Sequence, residues 1–193
     1  MNNDRSELDN AFDELQQALG EVTMSYGHLD DVLQEVIVRL VNPSIRNIGY
    51  VVFDLVAESH HRKLELITEL LNAHCGMADN SEAKQRTKSQ ELSSCIDLIG
   101  KLKGVGKKRN DAIHSVYDCW MGKGLSFERR TLKKGRDRPL HERTGERITA
   151  EEIRALAREI RKLTKEFMQK TEKLLTKQLR VPLPAEGSRS PHR

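Results

Sequence analysis

Arg109-Asn110-Asp111-Ala112-Ile113-His114 is the stretch of this chain whose residue types and spacing can do chemistry. A guanidinium is permanently charged and presents paired donors that match phosphate oxygens. An imidazole, with an ordinary pKa of about 6.5, takes or returns a proton near neutral pH. Together they meet the needs of phosphodiester transfer by a neighbouring 2′-hydroxyl. They offer a base for the attacking hydroxyl, an acid for the leaving oxygen and a cation over the phosphoryl oxygens, with no metal obligatory. On a helix Asn110 and His114 are i and i+4 and share one face. Arg109 and His114 are five apart, roughly 140° around at 3.6 residues per turn. They converge when Arg109 lies at a helix start and reaches with its long side chain, or when a two-fold partner brings a second pair, so the geometry favours a dimer.

The elements that must position this segment are predicted to be helical. Prolines stand only at positions 43, 139, 182, 184 and 191, which allows long uninterrupted helices between them. Leu8, Phe12, Leu15, Leu19, Val22, Tyr26, Leu29, Leu33, Val36 and Leu40 recur at steps of four and three, the narrow seam of a bundle helix. Asn42-Pro43 stops it and starts a second helix over about 44–74, which ends at the polar stretch GMADNSEAKQ. Asn80 or Ser81 caps a third, with Leu92, Ile96, Ile99 and Leu102 on one face. Gly104-Val105-Gly106 is expected to break that helix, and a fourth follows over about 107–120 with Ala112, Ile113, Val116 and Trp120 turned inward.

A basic excursion over about 121–147 comes next. Leu125, Phe127, Arg129 and Thr131 alternate there and Gly135 offers a turn, so it is predicted to be two-stranded and hairpin-like. The last helix, over about 149–180, begins at a capping box, with Thr149 as cap, Glu152 as its partner and Ile148 and Ile153 as a hydrophobic staple. Its stripe is Ile153, Leu156, Ile160, Leu163, Phe167 and Leu174, with Lys170 and Thr171 where the next apolar step would fall. The segment 181–193, rich in proline and poor in apolar bulk, is expected to be a disordered tail. The fold class is therefore all-α: a four-helix bundle over about 8–120 within a single domain of residues 1–180, a small basic excursion and a long C-terminal helix.

Composition narrows the function classes. Aromatic residues make up 4% of the 193, too few for the stacking platforms of RNA-recognition sheets or single-strand-binding barrels. Three cysteines with no CxxC pair fit buried thiols better than a disulfide framework or a zinc ribbon. The polar, acidic N-terminus does not read as a signal peptide and no long apolar run exists, so the expected location is cytoplasmic and no membrane is involved. A net charge of +4 conceals a division: residues 1–100 carry 8 basic and 17 acidic side chains, residues 101–193 carry 25 and 12. Such a chain pairs its own halves, presents the basic half to a polyanion, or does both.

The Arg109–His114 segment, with a polar residue directly after the arginine and a long acidic, proline-free helical hairpin before it, resembles the signature of the HEPN superfamily. These are helical bundles of prokaryotic toxin, antiphage and RNA-processing systems. The resemblance implies a metal-independent endoribonuclease assembled across a homodimer, with RNA as substrate. It makes Arg109 and His114 the active-site residues and Asn110 the polar residue supporting them. It also implies a toxin or antiphage setting and leaves room for an antitoxin or sensor partner. In HEPN toxins paired with nucleotidyltransferase antitoxins a modifiable Tyr lies two residues after the His, whereas Tyr117 lies three after His114.

Other signals compete. LKGVGKKRNDAI also resembles the helix-hairpin-helix element, which binds phosphates through backbone amides of a Gly-apolar-Gly turn, although Asn110 stands where that element usually has Ala. Lys107, Lys108, Arg129, Arg130, Lys133, Lys134 and Arg136 form a candidate nucleic-acid surface, with a merely solvated charged face as the plain alternative. His60-His61 with Glu65 supplies too few ligands for a metal. No P-loop, dinucleotide fingerprint or Ser-His-Asp order is present, so neither cofactor nor metal is expected. The alternative from another class is a non-catalytic nucleic-acid-binding or partner-docking bundle.

Overall fold

In the computed structural model, which describes residues 2–41, 59–76, 82–122, 124–131 and 145–178, the apolar seam beginning at Leu8 forms one helix, α1 (Asn2–Val41). Leu15, Val22, Leu29, Leu33, Val36 and Leu40 are all buried along it, as the steps of three and four require. Then come α2 (His60–Gly76), α3 (Glu82–Ile113), β1 (Ser115–Gly122), β2 (Gly124–Thr131), β3 (Gly145–Ile148) and α4 (Ala150–Lys173), which runs on into a π-helical turn at Leu174–Gln178. The fold is a helical bundle with a small hairpin-containing sheet and a long C-terminal helix. Among the described residues no helix is long and apolar enough to cross a membrane.

Two expectations are corrected. The break at Gly104-Val105-Gly106 does not occur, because α3 continues through it to Ile113. Each glycine costs a helix about 1 kcal/mol relative to Ala, but Leu98, Ile99, Leu102 and Val105 are buried along this stretch, and each buried aliphatic side chain stabilises by roughly 1.5–3 kcal/mol. Burial wins. With no turn at Gly104-Val105-Gly106, the helix-hairpin-helix reading falls.

The second correction concerns residues 115–122, which form strand β1 instead of the second half of a fourth helix. Val116, Tyr117 and Trp120 are β-branched or aromatic and favour a pleated surface, and Val116 is 50% exposed, not buried. The spacing of 116 and 120 suits either one helical turn or one strand face. Pairing with β2, from Ser115↔Thr131 to Gly122↔Gly124, decides it. The sheet has three antiparallel strands in the order β1-β2-β3. The predicted turn at Gly135 lies outside the described residues, as do positions 42–58 of the second helix and the tail 181–193.

The residues divide into two compact units, 1–29 with 104–162 and 30–103 with 163–193. In the first, Phe12 of α1 meets Phe127 of β2 edge-on, ring centroids 5.3 Å apart. Glu21 of α1 pairs with Arg154 at 3.8 Å and Arg161 at 3.5 Å, both on α4. The capping box is made as expected: the Glu152 amide donates to Thr149 Oγ1 at 3.2 Å and the Thr149 amide to Glu152 Oε2 at 2.7 Å.

The second unit is the more apolar, with Leu33, Ile37, Leu64, Ile67, Leu71, Leu102, Phe167 and Leu174 fully buried. Cys95 is a buried free thiol. Thr171, which interrupts the apolar stripe of α4, is also buried and donates its hydroxyl to the Phe167 carbonyl at 2.7 Å. That bond satisfies the hydroxyl without a partner helix.

Candidate functional site

The motif lies at the end of α3, not at the start of a helix, and the residues just beyond it tie off its last turn. The His114 amide donates to the Asn110 carbonyl at 3.0 Å. The Ser115 hydroxyl donates to the Asp111 carbonyl. The Tyr117 hydroxyl donates to the Ala112 carbonyl at 2.6 Å. Three consecutive carbonyls near the helix C-terminus, where such groups are ordinarily left to water, are thus taken by donors from the chain leading into β1. This end of a helix carries partial negative charge, so a phosphate placed here depends on side-chain cations, not on the helix dipole.

Arg109 is half-buried in the first unit. Its guanidinium carbon sits 4.8 Å from the ring centroid of Tyr26 on α1, a cation–π distance. Its Nη1 donates to Asn110 Oδ1 at 3.0 Å. Asn110 and His114 are both exposed and, one turn apart, share a face. The guanidinium reaches the Asn110 amide, and the amide shares its helix face with the imidazole, so Asn110 links the two residues that helix geometry separates. The site presents an anchored cation, an exposed amide and an exposed imidazole, residue types able to hold an anion and exchange a proton.

The cationic candidates scatter. Lys107 is exposed. Lys108 is exposed as well, but its ammonium lies 2.9 and 3.1 Å from the two carboxylate oxygens of Glu159 on α4. Arg129 is half-buried on the same face of β2 as buried Phe127, directly opposite Tyr117 in the register. Arg130 is placed by its backbone opposite Val116 and Gly145. Its side chain, and Lys133, Lys134 and Arg136, lie outside the described residues. His61 Nε2 lies 3.1 Å from Glu65 Oε1, and among the described residues no group of three or more His, Cys, Asp or Glu is placed to hold a metal ion.

Sequence reasoning missed the two tyrosines around the motif. Tyr26 counted only as one more step in the seam of the first helix, and Tyr117 only for its distance from His114. Burial raises the Tyr117 pKa above its ordinary value near 10, with the positive charge of Arg129 opposing it. The phenol therefore stays protonated and donating throughout the neutral range. A groove of about 320 Å³ also opens in the first unit, lined by Glu7, Glu14, Phe127, Thr149, Glu151 and Arg154 among others. It contains none of the motif, and its three carboxylates repel phosphate.

Comparison with protein-family models, with curated proteins and with solved structures finds no match to this chain.

Proposed function

We propose that the chain is a metal-independent endoribonuclease of the HEPN type, acting as a homodimer whose composite site holds Arg109, Asn110 and His114 from each copy. The supporting observation is the end of α3, where an anchored guanidinium, an exposed amide and an exposed imidazole lie within two turns. His114 takes the 2′-hydroxyl proton and returns one to the leaving oxygen, help typically worth about 10² to 10⁴ in rate. Arg109 stabilises the charge on the phosphoryl oxygens. The placing in a toxin or antiphage system, with an antitoxin or sensor as partner, rests on the motif resemblance alone.

Purified protein with bulk RNA and a chelator tests this reading. Cleavage persists, products end in 2′,3′-cyclic phosphate, and His114→Ala and Arg109→Ala each abolish it with helicity intact. Arg109→Lys rescues poorly because the planar fork is lost. Cutting by His114→Ala at the wild-type rate, once contaminating nuclease is excluded, disposes of the mechanism.

One observation favours a second reading. The Arg109 guanidinium is already engaged by Tyr26 and Asn110, and Lys108 by Glu159. A non-catalytic bundle that binds nucleic acid or a partner needs no free guanidinium at this point. RNA binding without cleavage, with a log-log salt slope that falls by about 0.7 for each phosphate contact removed, would select it.

A further inference from the structure

We infer that Tyr117 is a positioning residue for His114, a role that rests on the functional reading above. His114 is the single residue between the last helical position of α3, Ile113, and the first strand position of β1, Ser115. Its backbone direction is therefore set by how the final turn of α3 is held. Three bonds hold it: His114 N–H to Asn110, Ser115 Oγ–H to Asp111 and Tyr117 Oη–H to Ala112.

Tyr117 is anchored from a second direction as well. It stands opposite Arg129 in a register that β2 continues to Thr131, and its ring is half-buried beneath the sheet face that carries Phe127. The phenol thus ties the end of the helix to the body of the sheet. An exposed imidazole in a one-residue connection has no packing of its own to fix it, so its approach to a bound phosphate is inherited from this tie. Misplacement of a catalytic group by about 1 Å can cost on the order of a hundredfold in rate. Tyr117 touches no substrate in this scheme, since its hydroxyl is spent on the Ala112 carbonyl.

Tyr117→Phe isolates the hydroxyl, because the ring and its packing stay. Hydrogen exchange and RNA cleavage are measured on the same folded dimer. The expected result is His114 amide exchange faster by about threefold to tenfold, the range for one lost hydrogen bond, while amides of β2 keep wild-type rates. kcat then falls by roughly tenfold or more with KM within about twofold, and the thermal midpoint stays close to wild type. Ser115→Ala, which removes the other side-chain bond to the final turn, serves as the second variant and should likewise speed His114 exchange. Unchanged His114 exchange in Tyr117→Phe overturns the inference whatever the activity. Faster exchange with wild-type kcat overturns it too. Absence of cleavage by the wild-type protein removes the functional reading instead, and the His114 exchange rate still decides whether Tyr117 holds that residue.

Discussion

The two units differ in how deeply their best-buried ion pairs lie. In the unit of residues 30–103 and 163–193, two cations are sunk among helices against a carboxylate, beside exposed pairs such as Arg62–Glu69. Lys63 is 10% exposed and pairs with Asp30 at 2.5 Å, and Arg39 is 11% exposed and pairs with Glu172 at 2.5 Å. In the unit of residues 1–29 and 104–162, the pairs Lys108–Glu159, Arg158–Glu151 and Arg161–Glu21 are exposed on both sides. Exposed pairs contribute about 0–1 kcal/mol, whereas separating a buried pair leaves a desolvated charge behind. Stability that depends on charge is therefore concentrated in the second unit. The first unit keeps Asn110 and His114 at the surface, where replacing them costs little folding energy.

The largest effect expected from this contrast is a mismatch between activity and stability. Asp30→Ala should destabilise by about 2–3 kcal/mol, below the 3–5 typical of fully buried pairs because Asp30 itself is partly exposed. His114→Ala should stay within about 0.5 kcal/mol of wild type while removing cleavage. Urea midpoints for both variants check this. Equal losses would mean that His114 is a structural residue and that the contrast between the units is false.

Much of this architecture was legible because apolar spacing reports burial directly. The seam from Leu8 to Leu40 and the start of the last helix at Thr149 both follow from local pattern. So does the pairing of acidic and basic halves, visible in Glu21 with Arg154 and Arg161 and in Glu91 with Lys173. The end of α3 was not legible, for two physical reasons. Glycine propensity is a weak local term that burial of Leu102 and Val105 outweighs, and the run from Val116 to Trp120 carries a spacing common to helix and strand. The expected glycine break moved the motif from a helix end to a helix start, and mistaking strand for helix hid Tyr117, whose register with β2 no local pattern specifies. The alternation of Arg129 with Phe127 was visible, but not that Arg129 is half-buried opposite Tyr117.

A middle-sized effect sharpens the picture of the first unit. Thr149→Ala removes both the side-chain acceptor for the Glu152 amide and the hydroxyl that meets Glu152 Oε2 at 2.9 Å. Its cost should be about 1 kcal/mol, read as a fall in the urea midpoint with unchanged slope. Thr149→Ser should recover most of it. If Ala and Ser variants behave alike, the capping box contributes nothing measurable and α4 is held by its buried stripe alone.

The smallest expected effect is a pH dependence located in the second unit, at His60. Its Nε2 lies 3.3 Å from the Leu102 carbonyl of α3. Burial pushes its pKa below the ordinary 6.5, the carbonyl contact and the charge of Asp30 oppose that shift, and Lys63 and His61 add to it. A histidine whose folded pKa is lowered binds its proton more readily when unfolded. Its contribution is therefore complete above pH 6.5, declines as pH falls through that value, and levels off below the folded pKa. Urea midpoints taken between pH 7.5 and 5 should drop for the wild-type protein, and the drop should be smaller in His60→Gln, which keeps a polar side chain of similar reach. If His60→Gln shows the full wild-type drop, His60 is not the group whose titration matters to folding in this window, and the pH dependence does not belong to the second unit's buried histidine.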